Sequence, residues 1–391
     1  MRYFNGGLPN NAQAIIETSD KGFLILANSQ KCATCPNTRI KLIKTDAYGN
    51  QSWQKLFPDP NLDSTPDSVN YSAYGLTAIP DVSGADAGYL LVGEHIYIDP
   101  NTNTSASGLL MIQVDKDGTK TKLTTKKYTS IGVQVQGAAV TYSAKSGSFF
   151  VLGKAVTGST DMFLAEADGN TLNLDLKWSR TYGASATELA NRVYLFGDSI
   201  YWGGTRNSSP TEIRWVKAQI NTVAESDKPY PAGLATSLSG LTISFSCNDI
   251  CKFGFGYGFT GGYSVSAGQY RRTYFFRMDG NGNMTDSASY ALKYAQAYPS
   301  GNSITSTLDG GFLILATEAA DAQASDTNYR LIKIDPHGVL QWSKEYGGRF
   351  IDIGSKVLQA SDGGYIVLGT TTLANVPSIF LMKTDSQGAI E

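Results

Sequence analysis

The four cysteines are the first residues whose spacing could do chemistry. They fall in two pairs, Cys32-Ala33-Thr34-Cys35 and Cys247-Asn248-Asp249-Ile250-Cys251. Brought together, four thiolates would make a tetrahedral zinc site. Taken alone, a Cys-x-x-Cys pair is a redox centre when its first thiol sits at a helix N-terminus. As two separate pairs they are local disulfides that clip loops in an oxidising compartment. Which reading holds depends on the elements that carry them.

Other candidates are sparse. The chain has two histidines, His95 and His337, and neither stands in a readable Ser-His-Asp or Cys-His arrangement. No Gly-x-Ser-x-Gly elbow occurs. Asp99-Pro100-Asn101-Thr102-Asn103 and Asp279-Gly280-Asn281-Gly282-Asn283 start like calcium loops but lack the Gly at position six and the Glu at position twelve. Paired carboxylates of the glycosidase kind would need convergence in space. The repeated aspartates Asp46, Asp115, Asp335 and Asp385 have a turn role instead. These residues predict a non-catalytic protein with no cofactor and no metal.

The elements behind them are repeats. Ser19-Asp20-Lys21-Gly22-Phe23-Leu24-Ile25-Leu26-Ala27 returns as Leu308-Asp309-Gly310-Gly311-Phe312-Leu313-Ile314-Leu315-Ala316 and as Ser361-Asp362-Gly363-Gly364-Tyr365-Ile366-Val367-Leu368-Gly369. Each is a tight turn followed by a short apolar run. A second motif follows: Ile43-Lys44-Thr45-Asp46-Ala47-Tyr48-Gly49 with Trp53, then Ile332 to Gly338 with Trp342, then Met382 to Gly388. Weaker copies place apolar runs at 89–93, 149–153, 200–204 and 253–256. The count is seven at a period of roughly 55 residues, near that of propeller blades. Each copy reads as four strands, and no segment has sustained helical periodicity.

The expected fold is an all-β, seven-bladed β-propeller with four antiparallel strands per blade. The blades run roughly 8–57, 70–130, 133–182, 187–232, 236–298, 301–348, and 352–391 plus 1–7. The last blade lacks a fourth strand. Met1-Arg2-Tyr3-Phe4-Asn5-Gly6-Gly7 aligns with Ser343 to Arg349, so the N-terminus is expected to supply that strand and remove an open edge. The alignment starts mid-strand, so residues are expected to precede Met1.

This frame orders the chemistry. Cys32 and Cys35 fall in a B–C loop of blade one, Cys247 and Cys251 in an A–B turn of blade five. Those lie on opposite faces of non-adjacent blades, which disfavours shared zinc. Flanking strands disfavour the redox reading, so two local disulfides are expected. Trp53, Trp178 and Trp342 recur at one strand-D position and read as packing. His337 reads as a solvated turn residue and His95 as structural. The B–C and D–A loops differ most between blades, and loops on a rigid scaffold commonly carry function. Tyr71, Tyr97, Tyr263, Tyr270, Arg271 and Arg272 fall there, of the residue types that interfaces favour.

Composition narrows the class. The 32 basic and 34 acidic side chains nearly cancel and form no basic run, so nucleic acid is not an expected partner. No apolar stretch approaches the roughly 20 residues that span a bilayer.

The Asp-Gly-Gly-Tyr-Ile-Val-Leu-Gly and Lys-Thr-Asp-x-x-Gly-x-x-x-Trp patterns resemble the propeller repeats of exported surface lipoproteins of Bacteroidota. The resemblance spans the chain, strongly in blades one, six and seven. It implies export and an outer-membrane, cell-surface or periplasmic location. It implies no reaction, and the leading reading is a non-catalytic scaffolding or protein-interaction subunit with an envelope or outer-membrane protein as partner. The alternative is a carbohydrate-binding accessory protein of glycan uptake, and a glycan-active enzyme comes third. It also implies O-glycosylation at Asp-Ser motifs, here Ser64, Ser68 and Ser287.

Overall fold

The computed structural model describes residues 1–32, 37–58, 70–99, 104–125, 134–156, 158–183, 187–207, 211–219, 222–230, 243–265, 270–291, 300–319 and 326–391. Among these the regular elements are all strands. In chain order they are β1 (Arg2–Phe4), β2 (Asn10–Glu17), β3 (Phe23–Gln30), β4 (Thr38–Thr45), β5 (Gln51–Phe57), β6 (Asn70–Pro80), β7 (Asp86–Asp99), β8 (Thr104–Asp115), β9 (Lys120–Thr124) and β10 (Gln134–Ser143). They continue with β11 (Ser148–Val156), β12 (Thr160–Asp168), β13 (Leu176–Tyr182), β14 (Thr187–Phe196), β15 (Ser199–Asn207), β16 (Glu212–Gln219), β17 (Thr222–Tyr230), β18 (Ile243–Phe253) and β19 (Gly256–Val265). The last are β20 (Tyr270–Met278), β21 (Met284–Tyr290), β22 (Ser300–Ser306), β23 (Phe312–Ala319), β24 (Thr327–Ile334), β25 (Leu340–Tyr346), β26 (Asp352–Gln359), β27 (Tyr365–Leu373) and β28 (Val376–Thr384).

The arrangement is that of a β-propeller, but the blade count departs from the expected seven. Five four-stranded sheets stand separately: β2–β5, β14–β17, β18–β21, β22–β25, and β1 with β26–β28. The other eight strands, β6–β13, form one sheet. Two antiparallel meanders, β6–β9 and β10–β13, are joined there by a single parallel pairing, Gln134 to Ser107. The physical link is local: the Val135 amide donates to Ser107 Oγ at 3.2 Å. β1 takes the outer position of its sheet, in the order β1-β28-β27-β26.

The turn motifs explain the repeat. In the β2–β3 turn, Asp20 Oδ1 accepts from the Gly22 amide at 3.0 Å and from Lys44 Nζ at 2.9 Å. Asp309 does the same with the Gly311 amide and Lys333, at 3.1 and 3.0 Å. The second glycine of the motif is required by close approach. A Cβ on Gly311 would lie 2.2 Å from the Ile334 carbonyl oxygen. The other turn is closed by its own aspartate: Asp46 Oδ1 accepts from the Tyr48 and Asn50 amides, and Gly49 supplies a φ of 79°. Asp279 repeats that pattern on Asn281 and Asn283, so the calcium-like sequence there is a self-satisfied hairpin turn.

The chain divides into two compact units, each with its own core. One comprises Arg2–Leu195 with Val376–Ile379, the other Phe196–Asn375 with Phe380–Glu391 and Met1. Among the described residues the first includes two clusters. Leu24, Leu26, Leu42, Leu91 and Ile112 pack in one, and Leu90, Val92, Phe149, Phe163 and Leu164's neighbour Ala165 in the other. The second packs Phe275, Phe312, Ile314 and Ile332 in one cluster and Leu315, Tyr329, Val367 and Phe380 in another. Central strands such as β3 and β23 are buried on both faces, so they read as continuous apolar runs rather than alternating ones.

A bulge recurs in the first strand of the repeat. It falls between Ala12 and Ala14, Ala73 and Gly75, Gly137 and Ala139, Cys247 and Asp249, Gly301 and Ser303, and Gly354 and Lys356. The extra residue bends the strand and re-aims side chains.

Candidate functional site

The structure re-sorts the predicted site residues. Cys247 and Cys251 are free and buried, which corrects the expected second disulfide. Both lie inside β18, not in a turn, and the turn follows at Gly254. Four positions along a strand separate Cα atoms by about 13 Å, far beyond disulfide reach. Burial, with the Asp249 charge beside it, pushes the Cys247 thiol well above its ordinary range, so it is an inert core group. Cys32 is disulfide-bonded. Cys35, Ser64 and Ser68 lie outside the described residues. Ser287 is exposed on β21, opposite Phe276, while the Asp286 before it accepts from His337 Nδ1 and Arg277 Nη1.

The loop-face residues are largely strand residues. Tyr263 lies in β19, stacked on Phe245 at 5.5 Å between ring centroids. Tyr270 and Arg271 open β20, opposite Val265 and Ser264. Arg272 is exposed, and its Nη1 donates to Ser289 Oγ at 3.4 Å. Tyr71 is only 4% exposed and belongs to the core. The expected B–C loop of blade five is thus a hairpin of two regular strands. The apolar run expected at 253–256 is its preceding turn.

One group of predicted residues does come together. β7 has 14 residues against 8 and 9 in the equivalent β3 and β11, and β8 has 12 against 8 and 9 in the equivalent β4 and β12. Part of the added length, residues 97–99 of β7 and 104–106 of β8, continues the ladder to Asp99 and Thr104; the rest lies at the other end of the strands, before Tyr89 and after Val114. His95 stands just before the extension. Its ring meets Tyr71 edge-on at 5.3 Å and stacks on Tyr97 at 5.0 Å. Burial holds His95 below the ordinary imidazole range, against an opposing contact with the Thr125 backbone. The ring is therefore neutral at pH 7 and serves as an aromatic plate.

The opposite face of the same strand carries a carboxylate. Glu94 follows Leu90 and Val92 in the alternation, and those two belong to the cluster shared with β10 and β11. Its Oε1 accepts from Tyr74 Oη at 2.8 Å and from Gln136 Nε2 at 2.7 Å. Tyr74 is the bulged residue of β6, so the bulge is what aims its hydroxyl. Burial, reinforced by the Glu94 charge, raises the Tyr74 phenol far above its ordinary value and keeps it a donor. Sequence reading missed this trio. The available signal was a carboxylate at the strand position that holds Asn28, Lys154 and Thr317 in other repeats.

Among the described residues no cluster of three His, Cys, Asp or Glu could hold a metal ion. No helix among them is long and apolar enough to cross a membrane.

No protein-family model matches the chain, and no curated protein matches it. Solved structures do. A periplasmic gluconolactonase from Pseudomonas aeruginosa aligns at a TM-score of 0.51 and 12% identity, covering 98% of this chain and 94% of that one. The β-propeller domain of the Trilobed protease from Pyrococcus furiosus aligns at 0.50 and 9%, covering 96% and 97%. A mutant NanB sialidase from Streptococcus pneumoniae aligns at 0.47 and 8%, covering 100% and 69%. At these identities the likeness is one of fold.

Proposed function

We propose that this chain is a non-catalytic binding propeller that presents the extended β7–β8 hairpin to a protein partner. The observation that carries this reading is the hairpin itself. It outruns its equivalents by several residues and bears the His95–Tyr97 stack at its base. Aromatic rings fixed on a rigid strand are favoured contact residues, because they offer large area at low entropy cost. The eight-stranded sheet is read as two blades of the seven-copy repeat, fused at Ser107 and Gln134. The partner is an envelope or outer-membrane protein and the chain an exported, surface-anchored lipoprotein. The repeat resemblance and the disulfide at Cys32 support that setting. A photo-crosslinker at position 97 in the native host tests it. One stoichiometric protein adduct is expected; an adduct-free chain that still folds overturns the reading.

A second reading is glycan binding. The Glu94–Tyr74–Gln136 trio favours it, since a carboxylate with an amide and a phenol hydroxyl suits sugar hydroxyls. The fold likeness to a periplasmic gluconolactonase agrees with it. Glu94→Gln would weaken a glycan-array signal and leave the position-97 adduct unchanged.

A further inference from the structure

A cleft on a different surface uses none of the hairpin residues. It has a volume of about 340 Å³ and lies along β1 and the β4–β5 turn. Its lining includes Arg2, Asn5, Lys41, Asn50, Gln51 and Gln54. That volume is at the small end of ligand pockets, about 300–1,000 Å³.

Lys41 is the unusual member. It is 4% exposed, yet among the described residues its amine makes no ion pair and no hydrogen bond. Buried ammonium groups are almost always paired, because removing the charge from water is costly. The repeat shows what normally happens at this position. β8 places Leu110 there, β12 Phe163 and β28 Phe380, each apolar and buried. β24 places Arg330 there, and its Nε donates to Glu318 at 2.6 Å. In the first repeat the residue equivalent to Glu318 is Ser29, whose hydroxyl donates to the Gln30 carbonyl. Lys41 therefore keeps the cation and lacks the carboxylate.

The rest of the cleft is chosen in the same sense. Arg2 adds a second cation, close enough to help hold the Asp46 carboxyl below its ordinary value. Asp46 is itself committed to Asn50, through the Asn50 amide at 2.8 Å and Nδ2 at 2.8 Å, so it does not neutralise Lys41. Asn5, Gln51 and Gln54 add neutral amides, and Tyr3 a half-exposed ring at the edge. Lys41 Nζ reaches the β1–β2 connection, where a Cβ on Gly6 would meet it at 3.3 Å.

We propose that this cleft binds a small sugar acid, with the ligand carboxylate seated on Lys41 and Arg2 and its hydroxyls on the amides. The ligand supplies the counter-charge that Glu318 supplies to Arg330 in the β22–β25 repeat. Burial, with Arg39 nearby, holds the Lys41 amine below its ordinary range, so a carboxylate seated on it should favour the protonated form.

The test is calorimetric titration of the full chain with glucuronate, with glucose as the neutral analogue and inorganic sulfate as the bare oxyanion. Glucuronate should bind with a Kd of about 1 mM or tighter, at least tenfold more tightly than glucose. Lys41→Leu should abolish that binding and raise the thermal midpoint, since the leucine matches Leu110 and removes a buried unpaired amine. Arg2→Gln should weaken binding with no change in midpoint. Equal affinity for glucose and glucuronate would overturn the proposal. So would undiminished binding by a folded Lys41→Leu chain, or binding of sulfate with none of glucuronate.

Discussion

The two compact units solve one packing problem in opposite ways. Just after the bulge of each repeat's first strand, the unit containing Arg2–Leu195 places Ala14, Gly75 and Ala139. The unit containing Phe196–Asn375 places Asp249, Ser303 and Lys356 at the same register. In the first unit the strands close to backbone contact. A Cβ on Gly75 would meet Val92 Cγ2 at 2.7 Å and Ala139 Cα at 3.0 Å. In the second they are bridged by a polar relay. Lys356 Nζ lies 3.0 Å from Asp249 Oδ2, which also accepts from Ser303 Oγ at 2.6 Å and from the Ile304 amide at 3.1 Å. Ser303 Oγ in turn accepts from the Val357 amide at 3.2 Å. Small residues need no partners. The relay needs all of its members, because Asp249 and Ser303 are buried and the Lys356 side chain is only 16% exposed.

That difference can be broken most forcefully at Asp249. Asp249→Ala strips the buried carboxylate from Lys356 and should cost about 3–5 kcal/mol in urea unfolding. Adding Lys356→Met should restore much of the loss, since removing both charges leaves no uncompensated ion. A double variant as unstable as the sum of the singles would show that the two residues do not act as a pair.

The first unit should be vulnerable to added volume instead. Gly75→Ala forces Val92 and the β10 backbone apart and should cost about 1–3 kcal/mol. A shift in Tm near zero would mean the strands have room to separate.

The smallest effect lies in the turn clamps, with one in the first unit (Asp20–Lys44) and two in the second (Asp309–Lys333 and Asp362–Lys383) among the described residues. The hydrogen bond from Lys383 leads the influences that hold Asp362 below the ordinary carboxylate range. The folded chain thus releases this proton more readily than the unfolded chain. The resulting stability is complete above pH 4 or so, the unfolded value, and disappears as pH falls through the folded value. These carboxylates are half exposed, so each clamp contributes under about 1 kcal/mol. An acid titration of unfolding should show the second unit losing more than the first; Asp362→Asn should flatten the difference.

Some of this was legible in the residues. The Asp-x-x-Gly turns and the Asp-Gly-Gly turns read correctly, because each is completed within one repeat; the lysines that clamp the Asp-Gly-Gly turns were not foreseen. The strand ends of β7, β8, β18 and β19 did not. There the repeat has drifted, and a Tyr or Cys at a ladder's end looks like one in a loop. Tyr71 was expected at the surface and lies in the core, because the β6 strand starts earlier than its turn residues suggest. Lys41 went unremarked because a lysine in an amphipathic strand is ordinary until its neighbours are known.

The sequence by itself determined the unit: four short strands, two aspartate-capped turns, and a central strand apolar on both faces. These follow from local backbone preference and from alternation, which act over a few residues. Only the tertiary structure decided what faces each repeat across its packing surfaces. It decided that β6–β13 share one sheet, that Cys247 and Cys251 lie too far apart to bridge, and that Asp249 finds Lys356 while Lys41 finds no carboxylate. Such outcomes depend on residues as far as 45 or more positions apart in the sequence, as with Asn28 on Ala73 and Asp249 on Ser303. A charge buried between repeats is satisfied or left alone by its spatial neighbour, and that neighbour is not written in the repeat that carries the charge.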